Sequence, residues 1–309
     1  MEEAATVLGD RGRRLAPLGA RTTYRVGGPA ALLIEAAGPA DLELAARAVR
    51  ASGIPVLIVG RGSNLLVADS GFAGLAVVMD EGLDAIEIDA AAGRVRAGGA
   101  ASLPVLARRT AAAGLSGLEW SVGVPGSVGG AVRMNAGGHG SDVAATLTRA
   151  GVCDLAGERE ADLSWREVAA ADLGLRYRRS ALVATEVVVW AEFALGRGDP
   201  RVAEAEVAAI VAWRRANQPG GQNAGSVFTN PPDDSAGRLI ELAGLKGLAL
   251  GSATVSAKHA NFVQAGVAGS ADDVLALARE VQRRVADSAG VVLELELRLV
   301  GFDEESVIR

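Results

Sequence analysis

The chain has 309 residues and a formal net charge of −6; half of its residues are hydrophobic but only 4% are aromatic. That length suits two or three domains with a sizeable core, the acidic balance argues against nucleic-acid binding, and a single cysteine (Cys153) with two histidines (His139, His259) excludes a disulfide, a CxxC pair and a thiolate- or histidine-rich metal site, so no metal is expected. The acidic start MEEAATVLGD lacks the apolar stretch of a signal peptide and no run approaches the ~20 apolar residues of a membrane span, so the expectation is a cytoplasmic protein without membrane insertion.

In chain order, Thr22–Ala30 reads as a short β-prone piece, Asp41–Ser52 as a helix stopped by Gly53, and Ile54–Gly60 as a buried strand. Leu75–Met79, Asp84–Ile88 and Arg94–Ala97 follow as strands, and Leu103–Ala113 as a helix. Beyond a glycine-dense stretch, Thr146–Cys153 and Ser180–Leu195 have strand character and Asp199–Ala216 is helical. The last part pairs a short helix (Gly237–Leu242) with strands at Ala253–Val255 and Asn261–Gln264, the helix Ala271–Ala286 and an alternating closing strand, Val291–Val300. Period 2 there puts Glu294, Glu296 and Arg298 on one face and Leu293, Leu295 and Leu297 on the other. The fold class is α+β, with a domain boundary near Gly196–Pro200.

Two glycine-rich segments stand out. Gly114–Gly140 holds nine glycines in 27 residues, around Pro125 and ahead of Asn135. So many glycines penalise a helix or strand, whereas bare backbone N–H groups suit an anion. GRGSNLL (Gly60–Leu66) follows a buried strand but lacks the third glycine of a dinucleotide fingerprint and the Gly-Lys-Ser/Thr of a P-loop. Alone it reads equally well as an ordinary corner; with the second segment it reads as half of a two-point clamp on a pyrophosphate. A branched side chain at Gly62 or Gly126 is then expected to leave a folded protein that binds little ligand. Elsewhere, Tyr177-Arg178-Arg179-Ser180 reads on its own as surface, and Gly225–Pro231 (GSVFTNP) lacks the G-x-S-x-G elbow of a serine hydrolase.

Taken together, TYRVGGPA, GRGSNLL, GLEWSVGVPGSVGGAVRMNAGGHG, YRRS, AGSVFTNP, AGLKG and KHANF, in that order, closely resemble the UDP-N-acetylenolpyruvoylglucosamine reductase family from about Thr22 to Gly301. The resemblance implies an NADPH-dependent flavoenzyme of peptidoglycan synthesis that reduces the enolpyruvyl group of a UDP-sugar, acting as a monomer with bound FAD and NADPH as co-substrate. It implies the two-subdomain FAD-binding fold of the p-cresol-methylhydroxylase and vanillyl-alcohol-oxidase type over residues 1–197, with subdomains of about 1–75 and 76–197. Residues 198–309 are then an α+β substrate-binding domain. Carried over by position, the catalytic residues are Arg178, Ser226 as proton donor, and Glu296. FAD falls on Gly60, Arg61, Gly62, Ser63, Asn64 and Leu65 and on Gly123, Pro125, Gly126, Gly129, Gly130 and Ala131. The substrate falls on Tyr177, Arg214, Asn230 and Asn261.

Three positions depart from the family pattern. Thr229 stands where a lysine is usual, which removes a charged hydrogen bond worth ~1.5–3 kcal/mol if that lysine meets the nucleotide; Arg214 or Arg215 near Asn230 is then the compensating cation. Arg61 replaces a small residue, and the short segment between Arg178 and Arg214 matches the branch of the family without a tyrosine-bearing insertion. Two alternatives share the fold: another FAD oxidoreductase or oxidase, which needs neither AGSVFTNP nor YRRS, and a non-catalytic flavin-binding paralogue, which need not keep Arg178, Ser226 and Glu296 together.

Overall fold

The computed structural model describes residues 1–157 and 165–303. Contacts divide the chain into two units that interleave in sequence, Met1–Arg14, Leu32–Arg61 and Gly74–Arg214 against Leu15–Ala31, Gly62–Ala73 and Arg215–Arg309. The helix that the sequence assigns to the start of the last domain therefore lies mostly in the first unit.

In the first unit, α1 (Glu2–Leu8) packs Ala4 and Leu8 into one core with α2 (Pro39–Ser52). Helix α2 starts two residues before the expected Asp41, with Pro39 in its first turn, and stops where its sequence announces, at Gly53 in the left-handed region with its N–H on Val49 O at 2.8 Å. A four-stranded sheet has the order Arg13–Ala16, Ala30–Ala36, Phe72–Met79, Val56–Val59, the last two parallel. Ala30–Ala36 is a strand where the sequence suggests none. It is buried at five of seven positions and rich in alanine, with Ile34 its one β-branched residue, so it shows no alternation and little β-branching. The piece expected at Thr22–Ala30 is no strand, because Arg25 N turns back onto Thr22 O and Gly19 N reaches Gly28 O.

The other sheet is antiparallel, in the order Trp165–Ala169, Leu147–Asp154, Glu186–Ala194, Arg94–Gly98, Ile86–Asp89. Its inner residues Val95, Ala97, Ala150, Val152, Val188 and Phe193 share a core with Leu103 and Leu106 of α3 (Leu103–Ala112). The glycine-dense segment contains a helix, α4 (Val128–Met134), where the sequence suggests only turns. Each helical glycine costs ~0.8–1.0 kcal/mol against alanine, and close packing offsets that cost. A Cβ on Gly129 would stand 2.9 Å from Val188 O and 3.1 Å from Gly99 O, and Gly129 N bonds Gly99 O at 2.8 Å. Helix α5 (Pro200–Asn217) rests Ala203, Val207 and Ile210 on Ala107 and Ala111 of α3, which ties it to this unit.

In the second unit, α6 (Ala236–Leu242) and α7 (Ala271–Ala289) join a sheet of Ala249–Leu250, Ala253–Val255 and Val263–Ala265 around Tyr24, Leu66, Phe228 and Ile240. Ser270 caps α7 through Asp273 N, and Asp69 accepts from Ala271 N at 3.0 Å. The closing strand is shorter than its pattern suggests: only Arg298–Val300 forms a ladder, parallel to Leu65–Val67. Alternation persists upstream, since Leu293 and Leu297 are buried while Glu294 is exposed, and Leu295 bridges Phe228.

On α7, Glu280 accepts from Arg283 at 2.8 Å and Arg284 at 2.6 Å, and these bonds hold its carboxyl down at about 2. Because the folded-state value is depressed, the contribution is present above the ordinary carboxylate pKa of ~4.3 and is lost as pH falls through about 2. Glu280→Gln is therefore expected to unfold at slightly lower urea than the parent near neutral pH. The two curves should converge as pH drops to about 2; a gap that persists there would assign the effect to something other than this carboxylate.

Candidate functional site

In the first unit the two glycine-rich segments meet at one point. The Ser127 side chain occupies the space that a Cβ on Gly60 would need. Ser127 is buried and is the N-cap of α4, accepting from Gly130 N at 3.3 Å. The opening amides of α4 are already engaged: Val128 N on Ala101 O at 2.9 Å, Gly129 N on Gly99 O, and Ala131 N on Ser127 O at 2.9 Å. Gly129 and Ala131 thus use their N–H groups to seat the helix. Gly130 is exposed, and a Cβ there would meet only Ser127 Oγ, at 3.3 Å. Pro125 and Arg61 are exposed, whereas Gly126 is buried and accepts from Leu103 N. Arg214 lies across Gly123, where a Cβ would stand 2.8 Å from Arg214 Cδ and 3.1 Å from Nη1. Burial pushes the Arg214 pKa down, but a guanidinium stays cationic, so the second segment carries a positive charge.

Arg178 sits in a tight turn. Arg176 and Arg179 exchange backbone bonds of 2.9 and 3.0 Å, leaving Tyr177 and Arg178 at the tip. Arg178 has φ +56°, a conformation that costs a non-glycine residue roughly 1–2 kcal/mol. The guanidinium donates to Gly137 O at 2.9 Å and lies 4.9 Å from the ring centre of Tyr177, which is 52% exposed. The end of α4 holds this turn. Ser180 Oγ donates to Arg133 O at 2.7 Å, and Asn135 Nδ2 donates to Arg176 O at 3.2 Å and to Asp142 Oδ2 at 3.1 Å. Asn135 Oδ1 accepts from Ala144 N at 2.9 Å. Only 3% exposed, Asn135 ends α4 in the left-handed region and is absent from the residues the sequence nominates. Its signal is an asparagine directly after a helix, the residue that best replaces glycine there.

In the second unit, Ser226 lies in a loop held on both sides. Gly225 precedes it at φ +78° with open space where a Cβ would stand, and Glu296 N donates to Val227 O at 2.8 Å. Thr229 N donates to Glu294 O at 2.9 Å. Asn64 joins the first glycine-rich segment to this network, donating from Nδ2 to Glu296 O at 3.0 Å while its carbonyl accepts from Arg298 N at 2.9 Å. Ser63 and Leu65 are half-buried beside it, and Leu65 opens the strand paired with Arg298. Asn230 is exposed and its Oδ1 accepts from Ala236 N at the start of α6.

Asn261 is only 3% exposed. Its side chain bonds both polar groups of one peptide residue: Phe228 N donates to Oδ1 at 3.0 Å, and Nδ2 donates to Phe228 O at 2.8 Å. Its own carbonyl accepts from Val227 N at 2.9 Å. The amide thereby imitates a neighbouring strand, and each buried partner left without it would cost ~1–3 kcal/mol. Next to it, His259 Nδ1 accepts from Asn261 N at 3.3 Å, and burial pushes the imidazole pKa below its ordinary value. That ring is neutral at physiological pH and orders the loop.

The residues present fit a pyrophosphate-bearing group. In the first unit the half-buried Arg214 guanidinium lies against Gly123, and Gly130 is exposed. A family model for an FAD binding domain matches residues 30–160. The crystal structure of 6-hydroxy-D-nicotine oxidase from Arthrobacter nicotinovorans shares the fold, with a TM-score of 0.53 at 13% identity over 91% of this chain and 87% of that one. The chain is an FAD-dependent oxidoreductase with the p-cresol-methylhydroxylase-type fold.

A second family model, for the C-terminal domain of UDP-N-acetylenolpyruvoylglucosamine reductase, matches residues 217–300. Relatives carrying that enzyme's name are 42% identical over 93% of this chain and 92% of their own length in Synechococcus sp. (strain WH7803), and 39% identical over 92% and 96% in Chloroflexus aggregans. The crystal structure of the Thermus caldophilus enzyme matches with a TM-score of 0.79 at 34% identity, covering 94% of this chain and 99% of that one. The chain belongs to the UDP-N-acetylenolpyruvoylglucosamine reductase family.

Gly62 has a structural duty besides any contact with a ligand. It holds φ +62°, and a Cβ there would run into the Arg21 carbonyl and stand 2.8 Å from Thr22 Cα. Gly62→Val is therefore expected to destabilise the flavin-free protein by several degrees of Tm, in contrast to the folded, flavin-poor protein that the sequence alone suggests. Gly130→Ala, inside α4 with only the cap hydroxyl nearby, should not lower that Tm and, through the helix propensity gained, should raise it by roughly 2–4 °C. Thermal unfolding of the two apoproteins checks the contrast, and equal melting temperatures would contradict it.

Proposed function

We propose that this protein catalyses the NADPH-dependent reduction of the enolpyruvyl group of UDP-N-acetylglucosamine enolpyruvate to UDP-N-acetylmuramate, a cytoplasmic step of peptidoglycan synthesis. The observation that carries the reading is the backbone network of the second unit, where Val227, next to Ser226, bonds Glu296, and Glu296 bonds Asn64 of the first glycine-rich segment. Proton donor, carboxylate and cofactor segment are thereby referred to one rigid frame. The family relationship supports the same reading.

FAD, when bound, supplies a carrier that takes a hydride from the nicotinamide and passes it to the substrate's β-carbon. The chain's own residues do the rest. In the second unit Gly62, Ser63 and Asn64 would hold the dinucleotide; in the first, Gly60 and Gly130 would do so, with Arg214 offsetting its negative charge. The Arg178 guanidinium, steadied by Gly137 O and the Tyr177 ring, binds the enolpyruvyl carboxylate, toward which negative charge builds as hydride arrives. The Ser226 hydroxyl gives its proton to the α-carbon, which in its enolic state is basic enough to take it. Glu296 orients that enolic group, while Tyr177 and Asn230 contact the sugar nucleotide.

Nicotinamide oxidation needs no proton donor at the substrate carbon, so the two half-reactions should separate at Ser226. Ser226→Ala is expected to leave NADPH bleaching of the flavin at a near-native rate, while reoxidation by the enolpyruvyl sugar nucleotide falls at least ~10²-fold. Anaerobic stopped-flow absorbance follows both. Native reoxidation would remove Ser226 from the proton-donor role, and flavin reoxidation indifferent to the sugar nucleotide would overturn the reaction itself.

A further inference from the structure

We propose that Asn261 is a positioning residue for the proton donor and not a contact to substrate. The proposal rests on the function read above. Both polar atoms of the Asn261 side chain are taken by Phe228, through Phe228 N at 3.0 Å and Phe228 O at 2.8 Å, and the residue is 3% exposed. A sugar nucleotide would have to displace two buried hydrogen bonds to reach it. Ser226, two residues before Phe228, is half-buried and stands at the free end of this clamp.

The opposite side of the loop is tied independently, by Glu296 N on Val227 O at 2.8 Å and Thr229 N on Glu294 O at 2.9 Å. Residues 227–229 therefore run between the 294–296 backbone and a side chain acting in place of a second one. Asn261 is itself ordered by Ser256 and His259: Ser256 Oγ accepts from Lys258 N at 3.1 Å, and His259 Nδ1 accepts from Asn261 N at 3.3 Å. The KHANF segment is thus a built support whose product is the position of the 226–228 backbone. A general acid must sit within about 3 Å of the carbon it serves, and small displacements reduce its effect steeply.

The test is a double-mutant cycle in the flavin-containing enzyme. Asn261→Asp keeps the size and the acceptor but replaces the N–H donor facing Phe228 O with a carboxylate oxygen. It is expected to slow the limiting rate of flavin reoxidation by ~10–10²-fold, with the dissociation constant for the enolpyruvyl sugar nucleotide within about 2-fold of the parent and NADPH reduction of the flavin unchanged. In a Ser226→Ala background the same substitution should change reoxidation by less than about 2-fold, because the group it positions is gone. A weakened dissociation constant with a native limiting rate would make Asn261 a substrate contact. Equal slowing with and without Ser226 would make it a general structural residue. Either result overturns the proposal. Should Ser226→Ala alone leave reoxidation native, the proton-donor assignment fails instead, so the two failures are distinguishable.

Hydrogen exchange of the parent protein provides a measurement that needs no variant. The Phe228 amide should be protected well beyond those of the exposed residues Asn230 and Asp233. Exchange of Phe228 as fast as theirs would show that no clamp exists and would refute the proposal.

Discussion

The close approach of backbone to backbone beneath helix α4 is the constraint on which the first unit depends. Gly129 lies against the carbonyls of Val188 and Gly99, and Gly60 leaves room for the cap serine of the same helix. A Cβ at Gly129 would crowd the carbonyls of Val188 and Gly99, and one at Gly60 would collide with the Ser127 hydroxyl, so either would disturb the seat of α4. Because Asn135 at the end of α4 also holds Arg176, the displacement would reach the turn that carries Arg178. Glycine density is thus chiefly a packing device here, and the room it leaves around Gly130 is a consequence of how tightly the rest is seated.

Two buried asparagines solve the same problem in the two units. A loop that carries a reactive side chain cannot continue a sheet, yet its peptide groups still need partners. Asn135 supplies them to the 176 and 144 peptides, and Asn261 to the 228 peptide. An amide side chain presents N–H donors and a carbonyl acceptor as a peptide group does, so it substitutes for a missing strand. The arrangement is stiff because each asparagine is buried and all the bonds close together. Stiffness matters for a proton donor and a carboxylate-binding cation, whose benefit depends on position more than on intrinsic strength.

Interleaving of the units has a further effect. The first glycine-rich segment divides between them, with Gly60 and Arg61 in one and Gly62 onward in the other. Asn64 then joins the Glu296 network through the backbone, so residues expected to hold the cofactor and residues expected to act on the substrate share hydrogen bonds.

The sequence by itself located the regular elements with strong periodicity and clear stops, such as the helices expected at 41–52 and 271–286, which run over 39–52 and 271–289, and the strand at 253–255. It also nominated Arg178, Ser226 and Glu296, because motif order along a chain survives without coordinates. Tertiary structure decided the elements whose local preference is weak. Ala30–Ala36 became a strand through burial among neighbours, and the glycine-rich 128–134 became a helix through contacts with Gly99 and Val188. It alone showed that the Asn261 side chain faces Phe228, that Asn135 holds the arginine turn, and that α5 packs on α3. Propensity and period report on a few neighbouring residues, whereas each of these outcomes depends on a hydrogen bond or a van der Waals contact between segments distant in sequence.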